Sequence, residues 1–238
     1  LIATVATIAF NGISQSLPIG GRTSADVSNA YLTYFTPANY AFAIWGVIYL
    51  LLIAYGIYQA LPSQRTNPSA RRIGWLYVLS CVLNCLWITF FQIDQILISL
   101  IVIVGLLLSL IGIYLRLDVG RASVSAGDRW LLHLPFSVYL GWLSVATIAN
   151  VAVLGVAQNW GDLFGIAAPT WSAIMLGVAT VLGLLMAITR RDVGYIAVFV
   201  WAFVAIINMQ SATPVVATTA LIAVMVLLAG LAVSLVMN

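Results

Sequence analysis

Residues 83–91 read LNCLWITFF, and residues 142–150 read WLSVATIAN. Each stretch places an asparagine and a tryptophan within a run of residues that is apolar enough to cross a lipid bilayer. Burial of an amide in hydrocarbon costs about 2–7 kcal/mol unless the amide finds a hydrogen-bond partner. A chain that buries amides repeatedly beside large aromatic residues is therefore predicted to form helices that share a polar and aromatic interior face.

The composition indicates an integral membrane protein. Of the 238 residues, 63% are hydrophobic and 6% are charged, whereas about 25% of the residues of soluble domains are charged. All nine basic residues are arginine and all six acidic residues are aspartate. The arginines lie in short loops rather than in a patch, so the net charge of +3 does not indicate nucleic-acid binding. The expected partner is the lipid bilayer.

Eight stretches are long enough to cross a bilayer, since one crossing takes about 20 apolar residues. We therefore predict an all-α polytopic membrane protein with eight transmembrane helices. The stretches are 1–17, 37–61, 73–92, 96–115, 130–156, 169–189, 193–210 and 214–237. The first stretch lacks an initiator Met, so we expect the true N-terminus to lie upstream.

The loop charges predict the orientation. Eight of the nine arginines follow the second, fourth and sixth predicted helices, and the positive-inside rule assigns these loops to the cytoplasm. Both termini are then cytoplasmic. Lys-free loops favour a bacterial plasma membrane or a related internal, thylakoid-like membrane. The arginines are Arg65, Arg71, Arg72, Arg116, Arg121, Arg129, Arg190 and Arg191.

Three predicted helices carry aromatic, hydroxyl and amide side chains at spacings that share one helix face. These stripes are ordinary interhelical packing with paired amides, or they line a cavity for a flat, mostly apolar ligand. The stripes are Phe42, Trp45 and Tyr49 in the second helix, Tyr77, Ser80, Asn84, Trp87 and Phe91 in the third, and Tyr139, Trp142, Ala146 and Asn150 in the fifth.

The same residues resemble the motifs of the tryptophan-rich sensory proteins, the bacterial relatives of the mitochondrial translocator protein (peripheral benzodiazepine receptor). The family's L-N-x-x-W-x-x-x-F-F is matched by Leu83, Asn84, Trp87, Phe90 and Phe91. Its W-V-S-F-A-T-Y-L-N is matched by Trp142, Ser144, Ala146, Thr147 and Asn150. Its W-T-P-P-x-W-x-F-x-x-V-W-x-x-L-Y is matched more loosely, with Phe35, Ala38 and Tyr40 as departures and Thr36, Pro37, Phe42, Trp45 and Tyr49 retained.

The resemblance covers about residues 8–156, and the family has five helices. It implies a translocator-like five-helix transmembrane domain over residues 1–157, followed by a three-helix C-terminal extension over residues 158–238. It also implies a pocket that opens toward the long first loop, with Phe35 and Tyr40 as its lid. The implied ligand-binding residues are Phe35, Tyr40, Phe42, Trp45, Tyr49, Asn84, Trp87, Trp142, Ala146 and Asn150.

The resemblance further implies the ligand. Relatives bind porphyrins such as protoporphyrin IX and haem, as well as cholesterol and synthetic ligands, so a tetrapyrrole is the expected ligand and no cofactor is obligatory. A tetrapyrrole offers two π-faces to Trp and Tyr, and its carboxylates can reach loop donors such as Arg22. A homodimer or a larger membrane complex is an expected assembly.

Three other features have less specific interpretations. His133 is the single histidine and is expected at the cytoplasmic interface rather than as a haem ligand. The sequence Leu110, Tyr114 and Arg116 fits a loose cholesterol pattern, although such a pair at a helix end is more often an anchor. Cys81 and Cys85 are expected to be small buried hydrophobes.

Three functions follow. The leading hypothesis is binding of a tetrapyrrole or a similar flat hydrophobic ligand for sensing, regulation or trafficking, as a receptor or in transport. The alternative is a structural or assembly subunit of a larger, pigment-containing membrane complex. The third is light-dependent porphyrin degradation. Ionisable groups are absent from the middle of every predicted span, which argues against an ion-coupled carrier, and an ordinary hydrolytic enzyme is not indicated.

Overall fold

The computed structural model describes residues 1–236, without the side chain of Leu163, and it is helical at all eight predicted stretches. The all-α prediction is confirmed. Residue 237, the end of the predicted eighth helix, and residue 238 lie outside the described part. The long helices are α1 (Ile2–Ser16), α2 (Ile44–Ala60), α3 (Trp75–Gln92), α4 (Ile96–Leu117), α5 (Leu134–Ala157), α6 (Ala168–Arg190), α7 (Val193–Met209) and α8 (Pro214–Val236).

Within residues 1–236, six helical segments are long and apolar enough to cross a membrane. They contain α2, α3, α4, α5, α6 and α8, which makes the chain an integral multi-pass membrane protein. The other two helices are shorter, with 15 residues in α1 and 17 in α7. Eight crossings therefore remain a prediction.

Local sequence explains two irregular helix starts. Gly74 separates the short helix Pro68–Ile73 from α3 at φ 54° and ψ −142°, a conformation that side chains with a Cβ rarely adopt. Pro135 has no N–H to donate to the carbonyl four residues earlier, and the turn before α5, Arg129–His133, is a π-turn. Both features lie where a short polar connection meets a long apolar helix.

Helix α5 lies at the centre of the bundle. It packs against α2, α4 and α7, while α3 packs against α1 and α4. The last three helices join this bundle through α7, and α6 pairs closely with α8. Small residues allow that pairing, because Gly183 faces Leu227 and Gly230 faces Leu184. The predicted extension is thus packed directly on the centre of the predicted five-helix domain.

The arginine-rich connections meet at one end of the bundle, here called the basic end. Arg116 Nη1 donates to the carbonyl of Arg72 at 3.4 Å, and Arg121 Nε donates to the carbonyl of Thr189 at 3.2 Å. Arg190 pairs with Asp118 at 2.5 Å. The opposite end carries the long first loop and is called the loop end. The structure therefore gathers at one end the arginine-rich connections that alternate along the sequence with arginine-poor ones.

Gly141 sets the distance between α5 and α7. A Cβ at this position would lie 3.2 Å from the carbonyl oxygen of Tyr195 and 3.2 Å from Cβ of Val198. We expect Gly141→Leu to lower the unfolding free energy by about 1–3 kcal/mol because it overpacks the contact. Thermal unfolding in detergent measures this. Gly177→Leu is the control, since nothing lies within 4 Å of Gly177, and equal effects of the two substitutions would contradict the prediction.

Candidate functional site

The aromatic stripes of α2, α3 and α5 meet around Trp45. Its ring stacks on Trp87 with a centroid distance of 5.6 Å and on Tyr49 at 5.7 Å. It also contacts Tyr139 and Trp142 edge-on, at 6.0 and 6.4 Å. Both geometries are favourable for aromatic pairs. The shared face that the spacing predicted is therefore present, and it is densely packed.

A small cavity lies at the loop end of this cluster and is called here the aromatic cavity. Its volume is about 40 Å³, close to the space of one water molecule, about 30 Å³ in the liquid. Pockets for drug-sized ligands measure about 300–1,000 Å³, so the cavity is too small for such a ligand in this conformation. Its walls are Ser28, Phe35, Pro37, Phe42, Trp45, Trp87, Phe91, Trp142, Val145, Ala146, Ala149, Asn150 and Val153.

Seven of the ten predicted ligand-binding residues line the aromatic cavity: Phe35, Phe42, Trp45, Trp87, Trp142, Ala146 and Asn150. Three do not. Tyr40 is 40% exposed and accepts a hydrogen bond from Asn208 of α7 at 2.8 Å. Tyr49 stacks behind Trp45, and Asn84 is fully buried one turn deeper than Trp87.

Two wall residues have hydrogen-bond donors without a partner. The indole N–H groups of Trp87 and Trp142 are buried, and neither finds an acceptor among residues 1–236. Leaving a buried donor unpaired costs about 1–3 kcal/mol. One donor comes from α3 and the other from α5, yet both side chains border the same cavity. The arrangement can bind a group that carries hydrogen-bond acceptors.

Asn84 instead belongs to a hydrogen-bond chain that joins three helices. Asn11 of α1 donates to Oδ1 of Asn84 at 2.7 Å, and Nδ2 of Asn84 donates to the hydroxyl of Tyr139 in α5 at 2.9 Å. Asn150 makes a similar contact, since its amide lies 3.3 Å from the hydroxyl of Ser99 in α4. Asn84 therefore holds the bundle together. Asn11 was not among the predicted residues, although an amide within the apolar stretch 1–17 is the same signal.

The lid segment, residues 33–41, is attached to α7. Gln210 at the end of α7 donates to the carbonyls of Thr33 and Thr36, at 3.1 and 3.2 Å. The N–H of Ala38 donates to the carbonyl of Ala205 at 3.0 Å, and Trp201 donates to the carbonyl of Ala41 at 3.2 Å. Within the segment, the side chain of Phe35 is buried, with 1% of its surface exposed. A helix outside the predicted five-helix domain thus fixes one wall of the aromatic cavity.

The predicted carboxylate donor Arg22 lies in the same loop. It forms an ion pair with Asp94 in the α3–α4 connection. The next turn of the loop is a short helix, Ser24–Ala30, capped by Thr23. The hydroxyl and the backbone N–H of Thr23 donate to Asp26 and hold the pKa of that carboxyl below its usual range. The first loop is therefore held in place by its own capped helix and by the ion pair to the α3–α4 connection.

The other singled-out residues lie away from the aromatic cavity. His133 is at the basic end, as expected, and its side chain is buried against the protein, with 5% of its surface exposed. Leu110 and Tyr114 of the cholesterol pattern are also buried, and Tyr114 donates to Asp192 at 2.8 Å. They present no surface to a sterol. Cys81 packs in the core.

The family model described as TSPO-like protein matches residues 1–233. This chain belongs to the TSPO-like protein family. The match includes α6, α7 and most of α8, so the C-terminal helices belong to the region that defines the family. No curated protein and no solved structure gives a significant match to this TSPO-like protein.

Asn11 and Asn84 are expected to be energetically coupled because Nδ2 of Asn11 donates to the buried Oδ1 of Asn84. A double-mutant cycle with Asn11→Leu, Asn84→Leu and the pair should give a coupling of about 0.6–1.7 kcal/mol in unfolding free energy, the range for interhelical hydrogen bonds in a membrane protein. Thermal or denaturant unfolding in detergent provides the measurement. Strictly additive effects would contradict the hydrogen bond at 2.7 Å.

Proposed function

We propose that this TSPO-like protein binds a flat, hydrophobic, acceptor-bearing ligand within the membrane, with tetrapyrroles as the leading class. It acts in sensing, regulation or trafficking of that ligand. The observation that carries the proposal is the pair of unpartnered indole N–H groups, Trp87 and Trp142, on one aromatic cavity. A porphyrin supplies both an extended π-surface and carboxylate acceptors.

The chemistry of the site suits such a ligand. The rings of Trp45 and Trp87 are nearly parallel, with 29° between their planes, and a planar ligand can replace this stacking contact with two of its own. The two indole N–H groups then donate to acceptors at the ligand's edge. Recovery of two unpaired donors favours the bound state over the closed one.

Binding requires the cavity to open, because 40 Å³ does not hold a tetrapyrrole. The movable wall is the lid segment, since Phe35 and Pro37 line the cavity from a loop while the other large residues lie on helices. The attachments of the lid to Gln210 and Ala205 must loosen. The apparent affinity is then the intrinsic affinity reduced by the fraction of molecules that are open.

The orientation is part of the proposal. We place the basic end in the cytoplasm by the positive-inside rule, with all eight helices crossing and both termini on that side. The lid then faces the opposite side of a bacterial plasma membrane or a related internal membrane. There, a ligand carboxylate competes with Asp94 for Arg22.

The test is titration with protoporphyrin IX, followed by tryptophan quenching and by the porphyrin absorption band. We expect saturable binding that Trp87→Phe and Trp142→Phe each weaken about two- to tenfold, the equivalent of one lost hydrogen bond. Phe keeps the aromatic packing and removes only the donor. Trp75→Phe is the matched control because Trp75 is 83% exposed at the basic end.

Two results would contradict the proposal. Non-saturating curves for all four proteins would mean that the aromatic cluster is packing alone. Saturable curves that are unchanged in both cavity variants would place the porphyrin elsewhere on the protein.

One observation favours the alternative assembly role. In the most apolar 18-residue stretches of α6 and α8, 28% and 22% of the residues are buried. In the other four membrane-spanning segments, 33–50% of the residues are buried. The exposed faces of α6 and α8 therefore contact either lipid or a partner subunit. Size-exclusion chromatography with light scattering distinguishes the two roles. An assembly subunit is expected to co-purify with a different protein, whereas a ligand-binding protein is expected to have the mass of a monomer or homo-oligomer.

A further inference from the structure

A second, much larger concavity extends from the basic end toward the start of α2. This basic groove has a volume of about 970 Å³ and runs between α2 and α7, with α5 as its floor. It shares no wall residue with the aromatic cavity. Its volume is in the range of small-molecule sites, about 300–1,000 Å³.

Most of the groove is apolar and opens sideways. Its walls include Val47 of α2, Val138 of α5 and Trp201 of α7. Val47 is 46% exposed and Trp201 is 38% exposed, so the groove lies on the outer surface of the bundle, where acyl chains surround the helices. Trp201 also closes the groove toward the loop end, through its hydrogen bond to the carbonyl of Ala41 at 3.2 Å.

The opposite end of the groove is cationic. Arg129, Arg190 and Arg191 line it, together with Asp192. Arg190 pairs with Asp118, and Asp192 accepts hydrogen bonds from Tyr114 and from the N–H of Tyr195. Arg129 and Arg191 form no ion pair with any residue in the described part of the chain. Two arginines at the mouth thus lack an ion-pair partner among the described residues.

Two further observations indicate that the mouth binds a ligand. His133 lines the groove, is 5% exposed, and its Nε2 has no hydrogen-bond partner within residues 1–236. Arg191 ends α6 in the left-handed conformation, at φ 50° and ψ 38°, where glycine is the usual residue. A buried nitrogen without a partner and an arginine at a glycine position both cost stability.

We propose that the basic groove binds an anionic phospholipid of the surrounding bilayer. The phosphate lies between Arg129 and Arg191 and within reach of His133, and one acyl chain follows the apolar wall past Val138 toward Trp201. The acyl chain gains little free energy from entering the groove, because the bilayer is as apolar as the groove. Selectivity therefore comes from the headgroup, as in basic pockets between transmembrane helices on the cytoplasmic side.

The test is native mass spectrometry of the full chain in detergent, with phosphatidylglycerol and phosphatidylcholine of identical acyl chains. We expect at least a tenfold preference for phosphatidylglycerol in the wild type, and its loss in Arg129→Gln/Arg191→Gln. Arg65→Gln/Arg71→Gln is the matched control, with the same change of charge at the same end but outside the groove.

A second pair of variants tests the acyl chain without changing charge. Ala197 lines the groove on α7 and is exposed, so Ala197→Trp is expected to block the bound lipid and leave the fold intact. Val204→Trp, on the same helix but outside the groove, should bind as the wild type does.

Three results would overturn the proposal. The first is equal binding of the two phospholipids by the wild type. The second is the same loss in both double-arginine variants, which would show a general surface charge effect. The third is displacement of phosphatidylglycerol by palmitate at equal concentration, which would make a free fatty acid the occupant.

Discussion

Polar side chains inside this bundle have to find partners within the protein, because the hydrocarbon around the helices supplies none. In the chain Asn11–Asn84–Tyr139, which joins α1, α3 and α5, both amide nitrogens and Oδ1 of Asn84 have partners. Gln92 meets this constraint at the loop end, where it bonds the carbonyl of Ser14 and the N–H of Ile19. These contacts set how the first helix and the start of the first loop lie against α3.

The exceptions to this constraint are informative because of where they lie. Six buried side-chain atoms of the described residues lack a partner. Three of them border a cavity: the indole nitrogens of Trp87 and Trp142 on the aromatic cavity, and Nε2 of His133 on the basic groove. The others are Oδ1 of Asn11, Oγ of Ser24 and Oδ1 of Asp94. Unpaired donors beside a cavity favour ligand recognition over simple packing.

Sequence patterns predicted a large part of the fold, because hydropathy and helix periodicity are properties of each segment alone. The eight helices and the convergence of Trp45, Trp87 and Trp142 followed from them. Three of the predicted site residues, namely Tyr40, Tyr49 and Asn84, do not line the aromatic cavity. Periodicity shows which residues share a face, but it does not show which of them lies at the depth where neighbouring helices separate.

The attachment of the lid segment to α7 could not be predicted from the sequence patterns. Gln210 and Asn208 look like ordinary polar residues at a helix end, and their bonds to the lid span more than 160 residues of chain. The burial of His133 was missed because Arg129 and Trp130 beside it have the character of a membrane interface.

The most direct test of the central claim is NMR of the protein with ¹⁵N-labelled tryptophan, before and after addition of protoporphyrin IX. The account predicts that the indole N–H resonances of Trp87 and Trp142 move downfield as both donors gain an acceptor, while Trp75 stays unchanged. Unchanged resonances for Trp87 and Trp142 at saturating porphyrin would contradict it, because the two unpaired donors would then have no part in binding.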